Sequence, residues 1–212
     1  MSLSVKQRMN CRNIVNQQGS PKKGENQEYM INNIKPTHGL QLQLKYLCEG
    51  GSMPKDERVS DYPRPPRIEF VYGPVSVRIC KEIIAEDTRY IRVCETFHPP
   101  TIYIHQEAFG KETLHKTSGR PSYCEWKGVA EYWSLSKKDG SDLRARAGWS
   151  YPNPTGSFSL LADWIALYPR SVDACFLEGE RVIPQPGTFY GGWITSWTIG
   201  PFKGDQNHPE LI

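Results

Sequence analysis

Between Arg67 and His105 the chain passes through five short runs rich in β-branched and aromatic residues: RIEFV, VSVRIC, EIIAE, RYIRVC and TIYIH. Glycine, proline or charged residues break them apart, so each is bounded as a strand rather than a helix. Two hairpins follow. In GVAEYWSL, Val129, Glu131, Trp133 and Leu135 point one way and Ala130, Tyr132 and Ser134 the other; KKDGSD turns the chain and LRARAGW returns it. A second pair, DACFL and RVI, flanks the turn EGE. One main helix is expected near 157–168, where Ser157 can cap a run with Phe158, Leu161, Ile165 and Tyr168 at helical spacing and Pro169 stops it. These elements predict a mainly β (α+β) domain of short antiparallel strands.

The first sixty residues have a different character. They are filled with Asn, Gln, Lys, Gly and Ser, whereas all six tryptophans lie after residue 125. Such a segment buries too little apolar surface to offset its ordering entropy, so residues 1–66 read as a flexible basic leader, with one strand-like run, LQLQLKYL, at 40–47. DYPRPP, from Asp61 to Pro66, is a stiff extended entry into a single globular domain at 67–212.

Charge follows the same division. Residues 1–66 hold ten Lys/Arg against six Asp/Glu, and residues 67–212 hold sixteen against seventeen. The near-neutral folded part lacks the positive field that draws proteins onto phosphate backbones, so nucleic acid is not an expected partner. No apolar run approaches the roughly 18 residues of a membrane span, so no membrane is expected either. Six cysteines (Cys11, Cys48, Cys80, Cys94, Cys124, Cys175) without a signal-peptide core or a scaffold-like spacing predict reduced thiols in an intracellular, cytoplasmic protein. The acid-free start, with Lys6, Arg8 and Arg12 before Glu25, also resembles an organelle transit peptide; a plain disordered tail is the simpler reading.

Four segments carry a resemblance: ETFHPPTIYI (Glu95 to Ile104), CEWKGVAEYW (Cys124 to Trp133), GWSYPNP (Gly148 to Pro154) and VDACFLEGERV (Val172 to Val182). In order and spacing they resemble the domain of unknown function numbered 427, over roughly 67–205. GGWITS and GPFKG resemble the C-terminal extension of its cyanobacterial and eukaryotic members. The resemblance implies a compact β-tent-like fold and supplies no activity, although a nucleotidyltransferase-like label is attached to the family in some schemes. The chain departs from the blocks at Glu125, where proline is expected, and at Phe97, where serine is expected.

The residues themselves suggest where chemistry would reside. Glu95 and His98 lie where a strand ends against two prolines, a carboxylate and an imidazole suited to general base and acid work. The plainer reading makes Glu95 a loop-amide acceptor and His98 a core histidine. Lys127, between Trp126 and Gly128, rises from an aromatic-walled cavity or else is a solvated turn lysine. Cys124 is a ligand-contacting thiol, a nucleophile where a cation or His98 lowers its pKa, or, as is commoner, a buried structural cysteine. Trp126, Tyr132, Trp149 and Tyr151 supply core and, in part, pocket wall. No CxxC corner exists, so Cys94, Cys124, His98 and His105 would form a metal site only through the fold, and none is expected. Asp139 and Asp142 belong to a hairpin turn, and no phosphate-binding glycine loop is present, so no cofactor is expected. The function expected is small-molecule binding, extending to cofactor-independent acid–base catalysis of the isomerase, lyase or cyclase type. A non-catalytic ligand-binding or protein-interaction module and a nucleotide-transfer activity are the alternatives.

Overall fold

RIEFV and VSVRIC join into one long strand, and so do EIIAE and RYIRVC. In the computed structural model, which describes residues 56–211, they form β2 (Arg67–Ile79) and β3 (Glu82–Cys94), after a short β1 (Glu57–Arg58). Gly73 and Pro74, which read as a break, sit inside β2, where the pairing with β3 shifts register between Tyr72 and Val75. Proline has no N–H to give a ladder, and the bulge accommodates it. Gly73 has a packing reason as well. A Cβ there would overlap the Glu178 carboxylate, which lies over β2 and accepts a hydrogen bond of 3.0 Å from the buried Tyr90 hydroxyl.

The chain continues through β4 (Thr101–His105), β5 (Leu114–Lys116), β6 (Ser122–Cys124), β7 (Gly128–Leu135), β8 (Arg144–Ser150), β9 (Trp164–Leu167), β10 (Ala174–Leu177) and β11 (Glu180–Arg181). These strands and β2 and β3 form one ten-stranded sheet of order β11-β10-β2-β3-β4-β9-β8-β7-β5, with β6 paired to β7. Every pairing in it is antiparallel, and its ends do not close into a barrel. Small pairs outside it join β12 (Ile183–Pro184) to β13 (Trp193–Ile194), and β1 to β14 (Thr198–Ile199) in parallel.

The expected helix at 157–168 is not formed. Gly156–Leu161 is a short 3-10 turn, and Trp164–Leu167 is β9, inserted between β4 and β8. All four residues of β9 are buried, because both faces of the sheet are covered there. A continuous buried run loses the two-residue alternation, and Phe158, Leu161, Ile165 and Tyr168 then mimic a helical stripe.

One face packs on a core containing Val77, Ile102, Ile104, Leu135, Ile165 and Leu167. The other carries Ile91, Val93, Tyr103, Tyr151, Phe158 and Ala166. Residues 1–55, with most of the expected basic leader and its 40–47 run, lie outside the described residues. The remainder of that stretch packs against the sheet. Val59 and Tyr62 are buried with Cys94. Glu57 meets the buried guanidinium of Arg92, which also stands 3.2 Å from Glu69 and donates to the Tyr62 hydroxyl at 3.1 Å.

Candidate functional site

Side chains directly opposite each other on paired strands share a face. Tyr132 on β7 pairs with Trp149 on β8, Trp149 with Ala166 on β9, Ala166 with Tyr103 on β4, and Tyr103 with Ile91 on β3. This row crosses five strands and has its smallest member, Ala166, in the middle. The neighbouring row, Val93 opposite Thr101, continues the same face. A cavity of about 360 Å³ opens over it, with Val93, Thr101, Tyr103, Tyr132 and Trp149 among its walls. Tyr168 leans on Trp149 with ring centroids 4.4 Å apart, and Tyr151 adds to the aromatic lining. Burial drives the Tyr168 phenol up to about 12, so the hydroxyl stays protonated and polar without charge.

Glu95, His98, Lys127 and Cys124 face this same cavity. Glu95 and His98 come from the turn between β3 and β4, where the His98 N–H donates to the Glu95 carbonyl at 2.9 Å. Phe97 adopts a left-handed backbone (φ 63°), and its N–H donates to Val59 O (2.9 Å) while its carbonyl accepts from the Lys203 N–H (2.8 Å). The turn is thereby clamped between the segment before β2 and the segment after β14.

Lys127 comes from the turn between β6 and β7, which closes through Gly128 at φ +95°. Thr155 ties it down, donating its N–H to the Lys127 carbonyl at 3.3 Å and its hydroxyl to the Trp126 carbonyl at 2.5 Å. The lysine is only 8% exposed, and its ammonium lies 5.6 Å from the Phe158 ring and 5.8 Å from Tyr151. No carboxylate among the described residues lies within 4 Å of it. Trp126 does not line the cavity. It is half-buried beside the aromatic face, with the Arg64 guanidinium 5.9 Å above its ring.

His98 is held in one tautomer. Gln185 is 1% exposed; its Oε1 accepts from Gly192 N–H (3.1 Å) and its Nε2 donates to the Lys203 carbonyl (2.8 Å), so the contact of 3.1 Å to His98 Nδ1 is also a donation from Nε2. The ring proton therefore sits on Nε2. Burial first, then the Lys203 charge, pull the His98 pKa down to about 4. At neutral pH His98 is therefore uncharged, with its Nε2–H available as a hydrogen-bond donor.

Arg64, Gln185, Phe189, Tyr190, Gly191 and Lys203 also line the cavity, and none stands out in the sequence. Arg64 lies in DYPRPP and Lys203 in GPFKG, segments that read as an entry and an extension. Arg64 bonds Glu125 at 3.0 Å and stands 3.6 Å from Glu95. Both departures from the family blocks thus touch a flanking segment, Glu125 through Arg64 and Phe97 through Val59 and Lys203. Gly191 lies flat on the indole of Trp149: a Cβ there would come within 2.3 Å of the ring. Gly191→Ala is expected to push this segment off the wall, costing about 1–3 kcal/mol as an overpacked contact. Urea unfolding measures the loss, and tryptophan emission shifted to the red reports Trp149 gaining solvent.

Cys94, Cys124, His98 and His105 are not brought together. The one group of metal-type side chains within reach of each other among the described residues is Cys80, Asp142 and Asp173, all exposed. Arg144 bonds both of those carboxylates, at 2.9 Å and 3.2 Å. Its side chain already neutralises part of their charge. Asp139 accepts from Ser141 in the hairpin turn, as its sequence context predicts.

Comparison with curated proteins finds no match. Comparison with protein families matches residues 67–178 to the Domain of unknown function (DUF427), labelled NTP_transf_9. The match covers more than half of the chain, including Glu95, His98 and Lys127, and stops before Gln185 and Lys203. On this match the chain belongs to the DUF427 family.

Proposed function

We propose that the chain binds a small molecule bearing an anionic oxygen group, in the cavity walled by Tyr103, Tyr132, Trp149 and Tyr151. Lys127 carries this reading: a cation that is nine-tenths buried, faces a cavity and has no carboxylate within 4 Å among the described residues invites an anion from outside. The Nε2–H of His98 adds a neutral donor, and Cys124 and the tyrosine hydroxyls add weaker polar contacts. Aromatic walls with few polar groups suit a ligand with a flat apolar body.

Lys127→Met keeps the aliphatic stem and removes the charge. We expect binding of anionic compounds to be lost while the melting temperature holds or rises, since the unpaired charge no longer needs to be desolvated. A thermal-shift screen of small carboxylates and phosphate esters on both proteins tests this. Equal ligand-induced shifts in the two would refute the reading.

Acid–base catalysis is the second reading, supported by Glu95, the one carboxylate on the cavity wall among the described residues, facing the same space as Lys127. Glu95→Gln separates the two readings: a binding module keeps its affinity, whereas an enzyme loses turnover. Nucleotide transfer has less support, because it calls for paired carboxylates and the wall supplies one. The β-tent likeness and the intracellular location belong to this proposal too. The open antiparallel sheet is compatible with the first, and the free thiols of Cys80, Cys94, Cys124 and Cys175 with the second. No helix among the described residues is long and apolar enough to cross a membrane.

A further inference from the structure

Two segments outside the family-matched stretch change the charge of the cavity. Within that stretch its walls offer Glu95 and Lys127, which balance. The flanks add Arg64 and Lys203, so among the described residues three cations face one carboxylate. Arg64 is largely occupied, bonded to Glu125 and close to Glu95. Lys203 is not: no carboxylate among the described residues lies within 4 Å of its ammonium, which sits 6.0 Å from the Tyr190 ring.

The backbone of Lys203 is fixed on both sides, its N–H to Phe97 O and its carbonyl to Gln185 Nε2, each at 2.8 Å. The same two contacts hold the turn and the ring of His98. Lys203 is therefore placed by the network that positions His98, and its charge is felt there, being the second cause of that ring's depressed pKa. Lys127 is held independently by the β6–β7 turn and Thr155. Two unpaired ammonium groups thus reach one cavity from separately anchored segments, with a neutral N–H donor also on its wall.

Resting on the reading above, we propose that the ligand is a small dianion with an aromatic or otherwise flat body, taken by Lys127 and Lys203 together, and that the C-terminal segment carrying Gln185 and Lys203 is the element that selects it over monoanions. The two ammonium groups without a carboxylate within 4 Å among the described residues match two negative charges on the ligand. The aromatic floor, and the exposed rings of Tyr123 and Phe189 on the cavity lining, match its body.

The test uses the full chain and three probes at pH 8 and low salt: benzoate, terephthalate and phenyl phosphate, followed by isothermal titration calorimetry. Wild type is expected to bind one or both dianions about tenfold more tightly than benzoate, the size of one added charged hydrogen bond. The dianion that binds better identifies whether the second charge belongs to a separate carboxylate or to a phosphate. Lys203→Met should abolish the dianion preference, weakening both dianions more than benzoate, and Lys203→Arg should restore it. Lys127→Met should weaken all three probes. An unchanged preference in Lys203→Met, a wild type that prefers benzoate, or no binding of either dianion overturns the inference. The anion-binding reading falls separately, if Lys127→Met binds benzoate as wild type does. Because Lys203 is fixed by its backbone, its side-chain variants are expected to fold, and their melting temperatures check this.

Discussion

Glu57→Gln in the full chain is expected to lower the unfolding free energy by about 3–5 kcal/mol, the usual loss when one partner of a buried ion pair is removed. The side chain of Arg92 is 2% exposed, and Glu57 is 13% exposed. Glu69 lies within reach of Arg92 but is shared with Arg67, which bonds it at 2.7 Å. One carboxylate then serves two guanidiniums, and Arg92 is too deeply buried for bulk solvent to replace the missing charge. Urea titration measures the loss. A change below about 1 kcal/mol would mean that Arg92 relaxes towards solvent and that the buried network does not anchor the segment before β2. The same argument applies to a fragment cut to the family-matched stretch, 67–178. That cut removes Glu57 and also the buried side chains of Val59, Tyr62 and Trp193. Each large apolar side chain contributes about 1.5–3 kcal/mol by burial, so the sum reaches the whole stability of an ordinary domain. The fragment is expected to show no cooperative transition by circular dichroism.

Strands were legible in the sequence wherever alternation survived, as in GVAEYWSL, whose Ala130 and Tyr132 face the cavity side of the sheet while Leu135 faces the opposite core. The β9 strand was not legible, because both sheet faces are covered at WIAL and the alternation that marks a strand disappears. Candidate residues were legible where punctuation aims a side chain: two prolines after His98, and a glycine with positive φ after Lys127. The aromatic floor depended on register. TIYIH and WIAL are far apart in sequence, and only their pairing puts Tyr103 opposite Ala166 and brings Tyr103 and Trp149 onto one face, with ring centroids 6.4 Å apart. Gln185, Lys203 and Arg64 were hidden for another reason. They lie in segments of irregular structure that carry no periodic signal, and a polar residue in a loop looks the same whether it faces solvent or a cavity.

Wild type is expected to lose about 2.5 kcal/mol more stability than His98→Asn when the pH falls from 7.5 to 4.5. The folded protein holds His98 at a pKa of about 4, chiefly through burial and then through the Lys203 charge, whereas an unfolded histidine titrates near 6.5. Between those two values the unfolded chain takes up a proton that the folded chain refuses, so stability falls as the pH drops through this window and is unaffected by His98 above it. At about 1.36 kcal/mol for each pH unit, the two units between 6.5 and 4.5 give the expected difference. Aspartates and glutamates titrate in the same range, but they do so in both proteins and cancel in the comparison. Asparagine can present its side-chain carbonyl to the Gln185 Nε2 donor and carries no titrating group. Guanidinium unfolding at five pH values for each protein supplies the two profiles. Profiles that run parallel would mean that His98 takes its proton freely in the folded state, and that neither burial nor the Gln185 donor at Nδ1 keeps the ring neutral in the cavity.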